Sequence, residues 1–495
     1  MPIDHFHNDS IYEPHSSDTF GLRYWFDASH YREGGPVIVL QGGETDGKER
    51  LPFLQKGIVA KLAEATGGIG VVLEHRYYGA SMVLSNFSTS SLRFLSTEQA
   101  VADMAYFAQN VVFDGLEHLN LTAPNTAYIA YGGSYAGAMV AFLRKLYPQV
   151  YWGAIASSAV TLAKYDYWEY LEAARLFGPK ECINATQAFT QVIDSILVEK
   201  ADPDLVLRLK SVFGLQDVRR SDDFANAISY GIFGLQDLNW DPAESLPTFN
   251  EYCGNVSSTE LLYPSLAPLT KEVGELITRG GSSYVNNRAL TSQMLNFIGY
   301  NNITVIGSCL RHNMTLDDCL TNFDTKFYQR DGMYTGRWRP WPYQFCTEWG
   351  YLITGSRVPS DQLPLISRTV DLDYTSFACK AAFNITRESN VDKINKLGGL
   401  GFRYPRLAFI DGERDPWRAV TPHAIGLPER ESTIDEPFIL IKDGVHHWDE
   451  NGVFPHETKP GFPPESVVEA QKAQVDFVRA WMEQWKTWRT QGTGQ

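Results

Sequence analysis

Short apolar runs recur in the first and the last parts of this chain. They lie at residues 36–41, 70–74, 153–157, 406–411 and 437–441, and valine, isoleucine, leucine and alanine supply most of their positions. Strands that are buried on both faces need such continuous apolar runs, and parallel strands joined by helices are buried in this way. The runs near the start alternate with amphipathic segments, which predicts a parallel, doubly wound α/β sheet.

The middle of the chain has a different pattern. From about residue 164 to 386, apolar positions recur at helical spacing, and the loops are rich in asparagine, proline and aromatic residues. An amphipathic helix is expected from about 464 to 488. We therefore predict a sheet-containing core formed by residues 1–163 and 396–495, interrupted by a helical insertion formed by residues 164–395.

Charge and hydropathy exclude two classes of partner. The chain has 43 Lys and Arg against 58 Asp and Glu, which gives a net charge of −15. Such a surface repels nucleic acid phosphates and anionic membranes, so we expect neither partner. A run of 18 or more apolar residues, as a membrane-spanning helix needs, does not occur.

Two features indicate a secreted protein, although residues 1–7 lack the basic and apolar regions of a signal peptide. The six cysteines are even in number and confined to residues 182–379, as in a disulfide-bonded segment; six buried free thiols are the alternative. Asn-X-Ser/Thr sequons are more frequent than the roughly three expected by chance. They begin at Asn8, Asn86, Asn120, Asn184, Asn255, Asn302, Asn313 and Asn384. We interpret the chain as a mature extracellular form, with a lysosomal or vacuolar location as the alternative.

A glycine-rich hexapeptide, GGSYAG at 132–137, lies between the apolar run 128–131 and a segment with helical spacing. A sharp turn from strand to helix leaves no room for bulky side chains two positions before and after its central serine. Gly132 and Ala136 meet this requirement, which makes Ser134 the predicted nucleophile. An ordinary glycine-rich turn between a strand and a helix is the alternative.

A serine hydroxyl needs a histidine that takes its proton and an acid that orients the histidine. In hydrolases with such a turn, the acid and then the histidine follow late strands. Asp415 comes just after the run 406–411, and His446 and His447 come just after 437–441. Asp411 and Glu413 are competing acids. Position in the sequence does not separate the two histidines.

The anionic intermediate of acyl transfer needs two backbone N–H donors, one after the nucleophile and one after an early strand. Tyr135 supplies the first. Gly43 or Glu44 supplies the second, unless the glycines at 42–43 form only a tight turn. Together these residues predict an α/β-hydrolase core with a large, mostly helical cap between its early and late strands.

Two further motifs are discounted. Gly42, Gly47 and Lys48 match the spacing of a Walker A loop, but Glu49 stands where a magnesium-binding hydroxyl is required. His5 and His7 lie beside Asp4, but no further His or Cys cluster accompanies them. We therefore expect no cofactor and no metal.

The chain resembles the serine peptidase family of lysosomal prolyl carboxypeptidase, dipeptidyl peptidase II and the fungal acid prolyl endopeptidases. The matching motifs are IDHF (3–6), RY (23–24), GGE (42–44), EHRYYG (74–79), TEQA (97–100) with Asp103, the hexapeptide at 132–137, YP (147–148), GAIASSA (153–159), QFCTE (344–348), DPW (415–417) and HH (446–447). This resemblance implies a secreted or lysosomal enzyme that acts at acid pH and cleaves peptides on the carboxyl side of proline.

The resemblance also implies roles for single residues. The first histidine of the pair and the acid of DPW are catalytic in that family, which gives His446 and Asp415, and the tryptophan of DPW lines the proline pocket, which gives Trp417. Met139 and Glu348 are the other predicted substrate-binding residues. Several members have Met four residues after the nucleophile, where this chain has Ala138, and their Leu after the histidine pair is Trp448 here.

One disulfide, Cys346 to Cys379, follows the family pattern. Short loops suggest Cys309 to Cys319 and Cys182 to Cys253. A carboxylesterase or lipase of the same fold, or a catalytically silent binding protein, is the alternative function. Sequence alone leaves the cleavage mode and the oligomeric state undetermined.

Overall fold

The computed structural model describes residues 1–281, 284 and 287–492, and its centre is a seven-stranded sheet. The strand order is β1-β3-β2-β4-β5-β8-β9; β1 runs antiparallel to β3 and the other pairs are parallel. The nine strands within these described residues are β1 (Tyr24–Asp27), β2 (Val37–Gln41), β3 (Ile69–Leu73), β4 (Tyr128–Gly133), β5 (Gly153–Ser157), β6 (Lys164–Asp166), β7 (Gly350–Leu352), β8 (Leu407–Gly412) and β9 (Phe438–Ile441).

Helices cover both faces of this sheet. The longer ones are α1 (Ile58–Thr66), α2 (Thr97–Asn110), α3 (Ser134–Leu146), α4 (Lys180–Asp194), α5 (Pro203–Val212), α6 (Ser221–Ile228), α7 (Thr248–Ser257), α8 (Thr270–Gly280), α9 (Arg288–Asn301) and α10 (Glu465–Gly492). Along β2, Ile38 packs with residues of α1 and α10, and Val39 packs with residues of α2 and α3. The two faces of the strand thus enter separate apolar cores, which explains the continuous apolar run.

The cap consists of α4–α9 with shorter helical segments, and it enters the chain between β5 and β8. At its base β6 pairs in parallel with β7, forming a separate two-stranded sheet. Three disulfides join Cys182 to Cys253, Cys309 to Cys319 and Cys346 to Cys379, the same pairs that the sequence suggested.

This architecture confirms the predicted α/β-hydrolase core with an inserted helical cap. The sequence did not predict β1, β6 and β7, which have only three or four residues each. Within the described part of the chain, no helix is long and apolar enough to cross a membrane.

Candidate active site

Ser134 lies at the junction of β4 and α3, at the carboxyl edge of the sheet. Its φ of 57° is in the left-handed region, the strained conformation of a sharp turn between a strand and a helix. A Cβ on Gly132 would collide with the backbone oxygen of Ala136, and one on Gly133 would collide with the carboxylate of Glu450. The small residues around Ser134 are therefore a steric requirement of this turn.

His446 and Asp415 form a buried pair on the loops after β9 and β8. Nδ1 of His446 lies 3.1 Å from Oδ1 and 2.9 Å from Oδ2 of Asp415. Burial acts to raise the pKa of Asp415, but His446 and hydrogen bonds from Ser158 and the Trp417 backbone outweigh it, and the pKa is lowered. Asp415 is therefore held as a carboxylate that orients the imidazole.

The competing residues have other partners. Nδ1 of His447 lies 3.3 Å from Oε2 of Glu450, and its ring centroid lies 3.9 Å from that of His446. Asp411 binds Nδ1 of His423, and Glu413 accepts a hydrogen bond from the Asp443 backbone. Of the two adjacent histidines, only His446 thus faces the acid of the DPW motif.

The Ser134 hydroxyl makes no hydrogen bond to any residue that the structure describes. The side chain is partly exposed, so a substrate can reach it. Catalytic hydrogen bonds are often long in the absence of substrate, so this geometry is compatible with a nucleophile awaiting its base.

The loop after β2 approaches the same turn. Gly43 has a φ of 71°, and a Cβ placed on it would lie 3.6 Å from Cβ of Ala136. The Gly43 N–H, however, donates to Oε1 of the buried Gln41 at 2.8 Å. Of the two donors predicted on this loop, Glu44 is thus the one whose N–H is not held by Gln41.

Trp417 has an aromatic environment next to His446, at 6.4 Å between ring centroids. It stacks on Tyr167 at 5.3 Å and meets Tyr351 edge-on at 5.0 Å. Its indole Nε1 donates to Oε1 of Gln236 at 2.7 Å. Sequence patterns could not reveal these neighbours, because all three are far from Trp417 along the chain: Tyr167 follows β6, Gln236 belongs to the cap and Tyr351 lies in β7.

The other two predicted substrate-binding residues lie in the interior. Met139 is fully buried in the core between α3 and the sheet. The Glu348 carboxylate accepts hydrogen bonds from the Thr97 N–H at 2.9 Å and hydroxyl at 3.0 Å, and it pairs with Lys393 at 2.8 Å. These contacts favour a structural role for both residues.

The sequon asparagines differ in exposure. Asn8, Asn120, Asn184, Asn313 and Asn384 are exposed, whereas Asn86, Asn255 and Asn302 are half-buried. The Asn255 side-chain nitrogen, which would carry the sugar, donates to the Glu251 carbonyl at 2.8 Å. Glycosylation is therefore expected first at the exposed positions.

One side-chain cluster has metal-ligand chemistry, although the sequence led us to expect no metal. Ligand atoms of Asp4, His7 and His15 lie within 4.8 Å of one another. Nδ1 of His15 already pairs with Oδ2 of Asp4 at 2.7 Å, and His5 is bound instead to Asp103. The contact of His5 with Asp103 fastens the N-terminal segment to α2.

The family profile of serine carboxypeptidase S28 matches residues 1–460. A protein of Arthroderma benhamiae named "Probable extracellular serine carboxypeptidase" is 52% identical over 482 residues, which cover 97% of this chain and 67% of that protein. Serine protease vicPa of Bipolaris victoriae is 31% identical, over 87% of this chain and 80% of its own. Human thymus-specific serine protease is 27% identical, over 86% of this chain and 77% of its own length.

Proposed function

Since this chain belongs to the serine carboxypeptidase S28 family, we propose that it is a secreted serine peptidase that cleaves peptides on the carboxyl side of proline at acid pH. The observation that carries the catalytic part is the buried His446–Asp415 pair on the loops beside the Ser134 turn. An esterase or lipase would use the same three residues, so the substrate must be tested separately.

Ser134, His446 and Asp415 act as nucleophile, base and orienting acid in this proposal. When the Nδ1–H group of His446 donates a hydrogen bond to Asp415, Nε2 carries the lone pair and can take the Ser134 proton. The Ser134 oxygen attacks the scissile carbonyl carbon, and the imidazolium then returns the proton to the leaving amine. Water then attacks the carbonyl carbon of the acyl-enzyme while His446 takes its proton. The bond to the Ser134 oxygen breaks, His446 returns the proton to Ser134, and the carboxylic acid product leaves.

The negative charge of each intermediate is stabilised by two backbone N–H groups, those of Tyr135 and Glu44. Tyr135 is the second residue of α3, where the helix presents N–H groups without intrahelical partners. Glu44 is preferred to Gly43 because the Gly43 N–H already donates to Gln41.

Proline is selected by shape, because its ring offers no hydrogen-bonding group. Trp417 supplies a flat aromatic face near His446, and Tyr167, Tyr351 and Gln236 hold the indole in place. A rigid wall fits a rigid ring better than it fits a flexible aliphatic side chain.

Secretion and action at acid pH have separate support. The three disulfides and the exposed sequons suit an oxidising compartment, and the Arthroderma relative is named as extracellular. Burial raises the pKa of Asp411 and raises that of Asp449 to about 6. The fold therefore suits media below about pH 6, in which the Asp449 carboxyl keeps its proton.

The test is product analysis by mass spectrometry on peptides that differ only in having proline, alanine or leucine before the scissile bond. We expect cleavage after proline to dominate at pH 5 and to vanish after treatment with a fluorophosphonate. Equal cleavage of all three peptides would refute the proline preference alone. Hydrolysis of p-nitrophenyl esters without any peptide cleavage would favour the esterase.

A further inference from the structure

Ser158 follows β5, the strand between the one that leads to the nucleophile and the one that leads to the acid. In the register of the sheet, Ser157 pairs with Gly133 of β4 and with Ile410 of β8. Ser158 is the first residue beyond this pairing, as Ser134 is on the neighbouring strand. Ser158 is fully buried, and its N–H donates to the Ile410 carbonyl at 2.7 Å. Its backbone is thus fixed to the strand that precedes the acid.

The Ser158 hydroxyl holds the loop that carries the histidine pair. Its oxygen accepts the His447 N–H at 3.0 Å. This N–H belongs to the peptide group that joins His446 to His447, so the hydrogen bond fixes the backbone directly after His446. A hydroxyl that accepts one hydrogen bond still has a proton to donate. Burial acts to raise the pKa of Asp415, and His446 and the Ser158 hydroxyl are among the groups that lower it.

Three residues of this site have a left-handed backbone although none of them is glycine. The angle φ is 57° at Ser134, 45° at Ser158 and 35° at His447. Such conformations are costly for residues with a Cβ, and they persist where the surrounding structure fixes them. The hydrogen bond between Ser158 and His447 joins two of the three. Its loss would therefore allow the strained backbone after His446 to relax.

We propose that Ser158 is a positioning residue that keeps the His446 imidazole on Asp415, because its hydroxyl fixes the peptide group after His446 against the end of the sheet. This assignment rests on the proposed serine mechanism and adds a fourth residue to it. Ser158 acts through the imidazole and not on the substrate. The imidazole must meet Asp415 at Nδ1 and the Ser134 proton at Nε2 at the same time, and a displacement of about 1 Å can lower the rate of such a step by about 100-fold.

The first test is the steady-state kinetics of Ser158→Ala on a peptide or ester that the wild type hydrolyses. The value of kcat should fall by roughly 10- to 100-fold because the imidazole is less well held, and KM should stay unchanged because the substrate does not contact Ser158. Ser158→Gly should show the same loss. Glycine adopts the left-handed backbone without strain, so this variant separates the hydroxyl from the backbone conformation.

Thr161→Val is the matched control. Thr161 is also fully buried, and its hydroxyl donates to the Gly399 carbonyl at 2.8 Å. Gly399 belongs to neither of the loops that carry Asp415 and His446. Thr161→Val thus removes a buried hydroxyl that is hydrogen-bonded elsewhere, and it should keep the wild-type kcat.

The proton between Nδ1 of His446 and Asp415 gives a second readout by NMR. A hydrogen-bonded imidazole N–H resonates downfield of the backbone amides, and His446→Ala identifies its signal by loss. Ser158→Ala should shift or broaden this signal, whereas Thr161→Val should retain it. A merely structural role of Ser158 would change the melting temperature and leave the signal as in the wild type.

A folded Ser158→Ala or Ser158→Gly with wild-type kcat would overturn the assignment, as would an unchanged Nδ1–H signal or an equal loss of kcat in Thr161→Val. Should Ser158→Ala be unfolded by circular dichroism, Ser158→Gly decides; if neither variant folds, Ser158 serves the fold and the assignment is wrong. Fluorophosphonate labelling of the wild type separates this failure from that of the proposed function, because an unlabelled wild type contradicts the serine mechanism itself.

Discussion

Nδ1 of His446 faces both carboxylate oxygens of Asp415, at 3.1 and 2.9 Å. The next residue, His447, turns its Nδ1 to Glu450 instead. Two adjacent histidines thus have two different carboxylate partners, Asp415 for His446 and Glu450 for His447.

Ser134→Ala should abolish turnover and leave the fold intact, because the Ser134 hydroxyl makes no hydrogen bond among the described residues. His446→Ala should lower kcat by roughly 10⁴-fold or more, with the remainder owed to binding and the backbone donors. His447→Ala should be milder. Steady-state kinetics with thermal unfolding as the fold check measures all three. An inactive His447→Ala beside an active His446→Ala would reverse the assignment.

Trp417→Ala should lower kcat/KM for proline peptides by about 10–200-fold, since it removes a wall of the proposed pocket. Labelling by a small fluorophosphonate should persist, because the probe does not need that wall. Trp488→Ala is the matched control, since Trp488 is an exposed tryptophan on α10 at 49% exposure. A parallel loss of labelling and peptide cleavage in Trp417→Ala would indicate that the indole only supports the fold.

The contribution of Asp449 to the free energy of unfolding should fall as pH rises from about 4 to about 6. Asp449 is fully buried against Ser157, Tyr131 and Gln474, and burial raises its pKa to about 6. In the unfolded chain an aspartate ionises near pH 4. Between this pH and about 6 the folded state therefore binds more protons than the unfolded state, and the free energy of unfolding declines as pH rises.

Asp449→Asn removes this ionisation. The variant should be more stable than the wild type at pH 7.5 by on the order of 1–3 kcal/mol, and the difference should be near zero at pH 4. Urea unfolding at both pH values measures it, with the exposed Asp476→Asn as control. An Asp449→Asn protein that is destabilised equally at both pH values would assign the carboxylate a purely structural hydrogen-bonding role.

Removal of the disulfides should destabilise the cap in an order set by loop length. The bond Cys182–Cys253 spans 71 residues and Cys309–Cys319 spans 10. Closing the longer loop restricts the unfolded chain more, so Cys182→Ser with Cys253→Ser should cost more than Cys309→Ser with Cys319→Ser, each within about 2–4 kcal/mol. Peptide mapping of the unreduced wild type must first find the three pairs; six free thiols would contradict both the pairing and the argument for secretion.

The sequence by itself determined the architecture, because the patterns that encode it are local. A continuous apolar run such as 36–41 is explained by one strand buried on both faces. The small residues around Ser134 follow from the space available in one turn. Such features involve residues only a few positions apart, and periodicity and steric size reveal them.

Tertiary structure decided which partner each functional group meets. His446 and His447 have the same local sequence context. They are distinguished by Asp415, which lies 31 residues earlier on the loop after β8 and pairs with His446. Gln41 takes the Gly43 N–H, and Gln236 holds Trp417 from 181 residues away. Distances and orientations between separate segments are set by how sheet, loops and cap pack, and no periodicity along the chain encodes them.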